Sequence, residues 1–362
     1  LFVTHPVNEV LYGDAHTMLC TLPDKYVQTC VTSPPYFGLR DYGVAGQLGL
    51  EGSVSEYITG LVKVFREVKR VLRDDGTLWV NIGDSYAGVP IDEMTGTAKC
   101  GVDTKAKNLL GVPWRLAFAL QDDGWFLRTE VIWNKPNGLP SSVKDRPTRC
   151  HEYIFLLTKG GQYFYDQNAI REPDPETGDT LNGANRRSVW TIATQSYTGA
   201  HTAVFPTRLP ELCIKAGTSA KGACVKCGAP WKRVVEEGRL VSSGRGRSGE
   251  IHSNQYRDRY KVELGAGSAG GDTGSGFGKY ERRDLGFRPS CKCEEGVCPC
   301  VVLDPFTGSG TTLAVARQHL RSYLGIELNE EMYRPLIERR LASANDEASL
   351  RGGFEEMLDL CE

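Results

Sequence analysis

The sequence predicts an α/β fold built on a mostly parallel sheet covered on both faces. Short apolar runs at Val27 to Thr32, Thr77 to Ile82 and Val301 to Leu303 alternate with stretches of helical periodicity. Parallel strands need crossover connections, and helices lying between apolar strands cover the sheet on both sides. A glycine-bearing turn follows Val301 to Leu303 and opens a helix, the place where open α/β sheets hold ligands. The 362 residues suggest two to three domain-sized units, and 40% apolar residues permit a sizeable core. With 43 Lys+Arg against 45 Asp+Glu the formal charge is −2, which leaves a nucleic-acid partner open because binding depends on a local basic surface. No run approaches the ~18 apolar residues of a membrane span, and the start carries no signal-peptide core, so a cytoplasmic chain is expected. The chain opens on Leu1, so either its start lies upstream or a non-standard start codon was read literally.

Taken in order, Val27 to Thr32 is a β-branched strand that stops at Ser33-Pro34-Pro35, since proline cannot donate to a sheet ladder. Ile58, Leu61, Val62, Phe65, Val68 and Leu72 recur at helical spacing, with Ser53 and Ser55 as candidate caps. Asp74-Asp75-Gly76 reads as a turn into the strand Thr77 to Ile82. Residues 86–108 read as a mobile loop. Trp114 to Gln121 suggests a helix, and Thr129 to Trp133 and Tyr153 to Leu157 two further strands. His151-Glu152 reads as an ordinary polar strand entry. Residues 159–200 are polar and turn-rich, and Val241 to Gly278 is a Gly/Ser-rich insertion carrying several arginines. Regular structure returns at Val301, with a helix after Gly310, a strand at Tyr323 to Leu328 and a last helix through Met332, Leu336, Ile337 and Leu341, whose first turn Pro335 limits.

The run Asp304-Pro305-Phe306-Thr307-Gly308-Ser309-Gly310-Thr311-Thr312 is the strongest ligand signal. Gly308 and Gly310 allow a ligand close to the backbone, and the absence of a Gly-Lys-Ser/Thr ending excludes a phosphate-binding P-loop. Glu327, 17 residues after Gly310, ends the next strand, where an acid suits a ribose diol. Gly265-Ala266-Gly267-Ser268-Ala269-Gly270 spells a dinucleotide motif, but no strand precedes it and no helix follows, so linker composition explains it. Ser33-Pro34-Pro35-Tyr36 also falls at a strand's carboxyl end, offering a hydroxyl, a carbonyl of fixed direction and an aromatic ring to a planar amino-bearing ring.

Through Ser33-Pro34-Pro35-Tyr36 and Asp304-Pro305-Phe306-Thr307-Gly308-Ser309-Gly310 the chain resembles the amino-group DNA methyltransferases that use S-adenosylmethionine. The catalytic motif precedes the cofactor motif, as in the permuted β-class. The likeness spans most of residues 8–345, including Tyr12-Gly13-Asp14-Ala15, Asn81-Ile82-Gly83-Asp84, His201, Phe205-Pro206 and Leu209-Pro210-Glu211. It implies a Rossmann-like methyltransferase core in which Asp14, Phe205, Pro206, Asp304, Phe306, Thr307, Gly308, Ser309, Gly310, Thr311 and Glu327 surround S-adenosylmethionine. It divides the chain into a catalytic half (1–160), a target-recognition segment (161–200), a cofactor-flanking segment (201–222), a cysteine-bounded flexible insertion (223–300) and a cofactor half (301–362). The expected partner is duplex DNA with one base flipped into the pocket, from a bacterial or phage-encoded enzyme. A restriction endonuclease partner, the recognition sequence and the oligomeric state stay open.

The amine of cytosine or adenine is a poor nucleophile because its lone pair is delocalised into the ring. Hydrogen bonds from it to the Ser33 hydroxyl and the Pro34 carbonyl favour a pyramidal nitrogen that attacks the methyl in line. Tyr36 stacks on the flipped base, and the released proton passes to water. Serine in first place is commoner among N4-cytosine enzymes of the family, which favours that base over adenine N6. A C5-cytosine enzyme needs a cysteine nucleophile, and Pro299-Cys300 sits in the wrong place for one. An inactive zinc-stabilised DNA-binding module is the rival of another class.

Of the 12 cysteines, Cys20, Cys30, Cys100, Cys150, Cys213 and Cys361 are scattered and read as packed thiols. Cys224-Val225-Lys226-Cys227-Gly228 has the form of a zinc knuckle, and Cys291-Lys292-Cys293 closes a Cys₄ set for a structural zinc, with Cys298 and Cys300 as substitutes and reduced thiols as the alternative. Arg245, Arg247, Arg257, Arg259, Lys261, Arg282 and Arg283, with Tyr256, Tyr260 and Tyr280, belong either to a DNA-contacting arm or to a solvated loop. Lys144, Arg146 and Arg149 are further candidates to face DNA.

Overall fold

The computed structural model describes residues 6–88, 105–138, 140, 142–195, 205–241 and 279–349. In chain order the elements are β1 (Glu9–Tyr12), α1 (Ala15–Cys20), β2 (Val27–Thr32), α2 (Val54–Val71), β3 (Leu72–Ile82), α3 (Val112–Asp122), β4 (Phe126–Asn134) and β5 (His151–Thr158). After a short 3₁₀ turn at Gln167–Ile170 come β6 (Val189–Thr191), α4 (Arg208–Gly217), β7 (Ala223–Cys224), β8 (Lys232–Val241), β9 (Lys279–Arg288), β10 (Val297–Cys298), β11 (Val301–Asp304), α5 (Thr311–Gln318), β12 (Ser322–Glu327) and α6 (Glu330–Ser349).

An eight-stranded sheet in the order β1-β12-β11-β2-β3-β5-β4-β6 forms the centre. Its neighbours run parallel except at β5, which is antiparallel to both β3 and β4. The last strands of the chain, β11 and β12, therefore insert between β1 and β2, and the two ends of the sequence share one sheet. The period-2 pattern of each strand divides the core. Leu78, Val80 and Ile82 of β3, Phe155 and Leu157 of β5 and Leu303 of β11 join one cluster with α1, α2 and α3. Trp79, Ile154, Leu156 and Val302 point the other way, toward α4, α5 and α6. No helix among the described residues is long and apolar enough to cross a membrane.

Ser53 caps α2 by accepting the Glu56 amide at 3.2 Å, and Asp14 caps α1 by accepting from the Thr17 amide and hydroxyl at 2.9 and 2.7 Å. The expected turn at Asp74-Asp75-Gly76 is instead an irregularity inside β3. Val27 pairs with Leu72 but Thr29 pairs with Thr77, so the β3 chain bulges between them. Gly76 permits this, because a Cβ there would stand 2.8 Å from the Gln28 carbonyl oxygen. Pro335 does not limit the first turn of α6 either. The helix begins at Glu330 and runs through the proline, held by the buried Tyr333 and Ile337 on either side. Part of the segment read as a recognition element belongs to the core, because β6 extends the sheet at β4 and Trp190 lies 6.3 Å from Trp79, centroid to centroid. The insertion read as flexible from 223 to 300 holds an ordered antiparallel ribbon, β8 with β9, and a small sheet of β7 with β10. The Gly/Ser-rich stretch between β8 and β9, most of residues 86–108 and His201 lie outside the described residues.

Gly217 ends α4 directly over the sheet, where a Cβ would stand 2.5 Å from Thr77 Oγ1 and 2.7 Å from Thr29 Oγ1. Overpacking of this kind costs about 1–3 kcal/mol. Gly217→Val is therefore expected to lower the melting temperature by several degrees, whereas the same change at the open Gly161 leaves it in place.

Candidate active site and cysteine cluster

The loops after β2 and β11 stand side by side because these two strands are parallel neighbours. Thr32 Oγ1 donates to Asp304 Oδ1 at 2.6 Å, tying the last residue of one strand to the last of the other. The same carboxylate oxygen accepts the Phe306 amide at 3.1 Å, and the Asp304 carbonyl accepts Thr307 Oγ1 at 3.0 Å. Asp304 thus shapes the turn as well as occupying it. Gly308 and Gly310 adopt φ of +51° and +81°, the left-handed region that favours glycine. Among the described residues none beyond its chain neighbours comes within 4 Å of where a Cβ on Gly308 would be, so the turn leaves its outer side open to them. Glu327 closes the group from the end of β12, its two oxygens accepting the amides of Gly308 at 2.8 Å and Asn329 at 2.9 Å. Asp14 follows the end of β1, the next strand along.

Both acids are almost fully buried. Burial raises the Asp304 carboxyl to about 6 against the opposing hydrogen bonds from Thr32, Thr312 and the Phe306 amide. Burial also raises Glu327 to about 7, with the amides of Asn329 and Gly308 pulling the other way. The other residues picked out for the cofactor, and Glu211 beside them, make contacts within the protein. Thr311 is buried and its hydroxyl bonds to Arg340 of α6. Phe306 packs against the first core cluster and Phe205 against the second. Ser309 is buried, and the Pro206 carbonyl accepts the Leu209 amide at the start of α4. Glu211 pairs with Arg208 and Lys215.

The loop after β2 is equally constrained. Tyr57 Oη donates to the Pro35 carbonyl at 2.6 Å, and Gly83 makes room for the Tyr36 ring, since a Cβ there would meet Tyr36 Cε2 at 2.6 Å. The Tyr36 hydroxyl lies 2.7 Å from Glu152 Oε2, 3.4 Å from Ser33 Oγ and 3.4 Å from Asn81 Oδ1. Asn81 Nδ2 donates to the same Glu152 oxygen at 3.1 Å, and Lys135 pairs with the other. Burial first, then the Glu152 charge, pushes the Tyr36 hydroxyl well above its ordinary value, so it stays protonated. Glu152, read from sequence as a plain strand entry, is thus at the centre of this network. The one signal for it was an acid beside His151 at a strand's amino end.

The cysteine groups also converge. The thiols of Cys224, Cys227, Cys291 and Cys293 lie within 4.8 Å of one another. Burial of Cys224 is outweighed by the amides of Cys227 and Lys226 and by its thiol neighbours, which bring it down to about 7. Cys298 and Cys300 are excluded from the group and bond instead to the carbonyls of Ala223 and Ser219. Arg73 donates to the Cys227 carbonyl at 2.6 Å, fastening the knuckle to β3. Of the scattered cysteines, Cys30 and Cys213 are buried, but Cys20 and Cys150 are exposed, against the expectation of packing; Cys100 and Cys361 lie outside the described residues.

Two of the three basic residues after β4 are held within the protein. Arg149 pairs with Asp84 at 3.4 Å and Arg146 lies over the Tyr86 ring at 3.8 Å, leaving Lys144 exposed. On the ribbon, Arg282 pairs with Glu237, and Arg233 with Asp166 and Asp284. Arg245, Arg247, Tyr256, Arg257, Arg259, Tyr260 and Lys261 are outside the described residues.

The DNA methylase family model matches residues 27–225 and 300–339, breaking where the insertion begins and ends. The chain belongs to this DNA methylase family. This methylase is 40% identical over 346 residues to the Type II methyltransferase M.SmaI of Serratia marcescens, covering 92% of this chain and 90% of the relative. It is also 40% identical over 330 residues to M.Cfr9I of Citrobacter freundii, covering 88% and 83%. The solved structure of the cytosine-N4-specific PvuII DNA methyltransferase superposes with a TM-score of 0.55 at 16% identity, covering 99% of this chain and 94% of that one, which shows a common fold. This methylase is accordingly a DNA methyltransferase of the N4-cytosine/N6-adenine class.

The buried acids make the ligand-free protein pH-sensitive. In the unfolded chain carboxyls release protons near pH 4, whereas folded Asp304 and Glu327 hold theirs to about 6 and about 7. Between these limits the folded state binds more protons, so stability falls as pH rises through that window. Thermal melts of the ligand-free methylase from pH 5 to 8 should show this fall, and Glu327→Gln should flatten it. An unchanged slope in that variant would mean that Glu327 is already ionised at pH 5.

Proposed function

We propose that the chain transfers a methyl group from S-adenosylmethionine to the exocyclic N4 of cytosine in duplex DNA, with the target base flipped out of the helix. The observation that carries this reading is the Thr32–Asp304 bond, which sets the Ser33-Pro34-Pro35-Tyr36 loop beside the Asp304–Gly310 loop. The residues present fit the cofactor. The open side of Gly308 admits a ligand against the backbone, and Glu327 retains unused lone pairs for a ribose diol. Two acids with raised pKa values also favour a cationic ligand, which returns them to the charged form. When bound, S-adenosylmethionine supplies an electrophilic methyl on a sulfonium.

The chain's own residues position the other reactant. Ser33 Oγ and the Pro34 carbonyl accept the two N–H bonds of the amine, which frees the nitrogen lone pair for in-line attack. Tyr57 fixes the backbone through Pro35, so this geometry is set before the base arrives. Tyr36 presents its ring to the flipped base. Serine in the first position favours cytosine; adenine N6 uses the same geometry. A restriction endonuclease recognising the same sequence is the expected companion, as the relatives are named Type II methyltransferases.

Incubation with mixed-sequence duplex DNA and S-adenosylmethionine, followed by mass spectrometry of the nucleosides, should yield N4-methylcytosine. N6-methyladenine would keep the mechanism and change the base, and DNA binding without methylation would favour an inactive binding module. Ser33→Ala should lower turnover by about 100-fold or more while S-adenosylmethionine affinity changes little; equal losses would move the catalytic pocket elsewhere.

The four clustered thiols are proposed to hold one structural zinc. Zn–S bonds of ~2.3 Å place tetrahedral sulfurs roughly 3.8 Å apart, within the spread seen here. Four thiolates leave no open coordination position, so the metal's part is to anchor both ends of the insertion. Metal analysis of the purified protein should find about one zinc per chain, and Cys227→Ser with Cys291→Ser should lose it together with several degrees of melting temperature. A metal-free wild-type protein melting at the same temperature with and without added zinc would remove the assignment.

A further inference from the structure

We propose that Glu152 sets the direction of the hydrogen-bond chain Ser33–Tyr36–Glu152 and receives, through it, the proton that leaves the amine on methylation. The inference rests on the reading of Ser33 as the residue that meets the amine. Lys135 occupies one oxygen of Glu152, and the other faces the Tyr36 hydroxyl at 2.7 Å and Asn81 Nδ2 at 3.1 Å. A carboxylate can only accept, so the Tyr36 hydrogen points to Glu152. The Tyr36 oxygen is then left as an acceptor, and Ser33, 3.4 Å away, turns its own hydrogen toward it. That leaves the Ser33 lone pairs aimed outward, which is what an N–H of the amine requires. A serine free to rotate would spend part of its time presenting hydrogen to hydrogen.

The same chain balances the reaction. Forming the N–CH₃ bond breaks the S–CH₃ bond, and the sulfur keeps that electron pair. The nitrogen becomes cationic and must shed one of its protons. That proton goes to Ser33 Oγ, the Ser33 hydroxyl proton goes to Tyr36 Oη, and the Tyr36 proton goes to Glu152 Oε2, which ends as a neutral acid. Ser33 and Tyr36 finish as they began. This route replaces direct loss to water, and it lets a weakly basic serine act through an acid that never touches the base. The 3.4 Å Ser33–Tyr36 separation is long for an O–H donor, and such contacts tighten when substrate is bound. Lys135 is itself fixed, its Nζ lying 4.2 Å from the centre of the Trp133 ring.

The test is single-turnover methylation at saturating DNA and S-adenosylmethionine, from pH 5.5 to 9, for wild type, E152Q, E152D, Y36F and the double variant E152Q/Y36F. E152Q and Y36F should each slow transfer by about 100-fold or more, the usual size of an acid–base contribution. The double variant should be no slower than either single one, because both cut one chain. E152D should recover part of the rate that E152Q loses, at every pH tested. Affinity for S-adenosylmethionine should change less than about threefold throughout. An E152Q rate within threefold of wild type, or losses that multiply in the double variant, overturns the relay while leaving the methyltransferase reading intact. Wild type without any methylated product would bring down both. Should E152Q fail to fold, the Y36F rate decides, and a loss under threefold overturns the proposal.

Discussion

Everything at this site depends on the pairing of β2 with β11, two short strands that lie far apart in sequence. The pairing is clamped at both ends. Gln28 Oε1 accepts the Val301 amide at 2.6 Å where the strands begin, and Thr32 Oγ1 donates to Asp304 at 2.6 Å where they finish. The ladder between them is short, with Val302 opposite Thr29 and Leu303 opposite Cys30, so these side chains carry much of the register. A slip by one residue would turn Leu303 out of one core cluster and Val302 out of the other. It would also part the Ser33 loop from the Gly308 loop. Fold and site are therefore specified by the same few contacts.

The placement of the two acids carries a cost in stability. Asp304 and Glu327 sit at strand ends where burial disfavours their charge. Hydrogen bonds from Thr32, Phe306, Gly308 and Asn329 recover part of that cost and hold the oxygens in place. On the cofactor role proposed for this turn, a neutral site would be more stable and would bind a sulfonium less well. This unfavourable burial is confined to the strand ends, and the rest of the sheet, with both faces covered, offsets it.

Much of this was legible in the sequence because it follows rules that act locally. Alternating apolar runs gave the strands, Ser53 the start of α2, and glycine at 308 and 310 the turn that needs a positive φ. What escaped depends on partners distant in sequence. Asp74-Asp75-Gly76 looks like a turn by composition, but Gly76 is required by the Gln28 carbonyl across the ladder. The β8–β9 ribbon is held by pairs such as Arg282–Glu237, which polar composition alone renders as loop. Six clustered cysteines offered several sets of four, and only the fold excludes Cys298 and Cys300 by giving them carbonyl partners.

Glu152 escaped for a reason of topology. In a parallel sheet the ligand edge collects the carboxyl ends of strands, and Asp14, Ser33, Asn81, Lys135, Asp304 and Glu327 all occur at or just beyond such ends. Strand β5 runs the other way, with Glu152 opposite Trp133 and Tyr153 opposite Ile82. Its second residue therefore reaches the edge to which the other strands bring their last. An acid placed there lies behind the Ser33 loop, against Tyr36 and Lys135, and apart from the acids that surround Gly308. The single reversed strand thus gives the sheet edge two separate acidic positions, Glu327 beside the glycine turn and Glu152 behind the loop that follows β2.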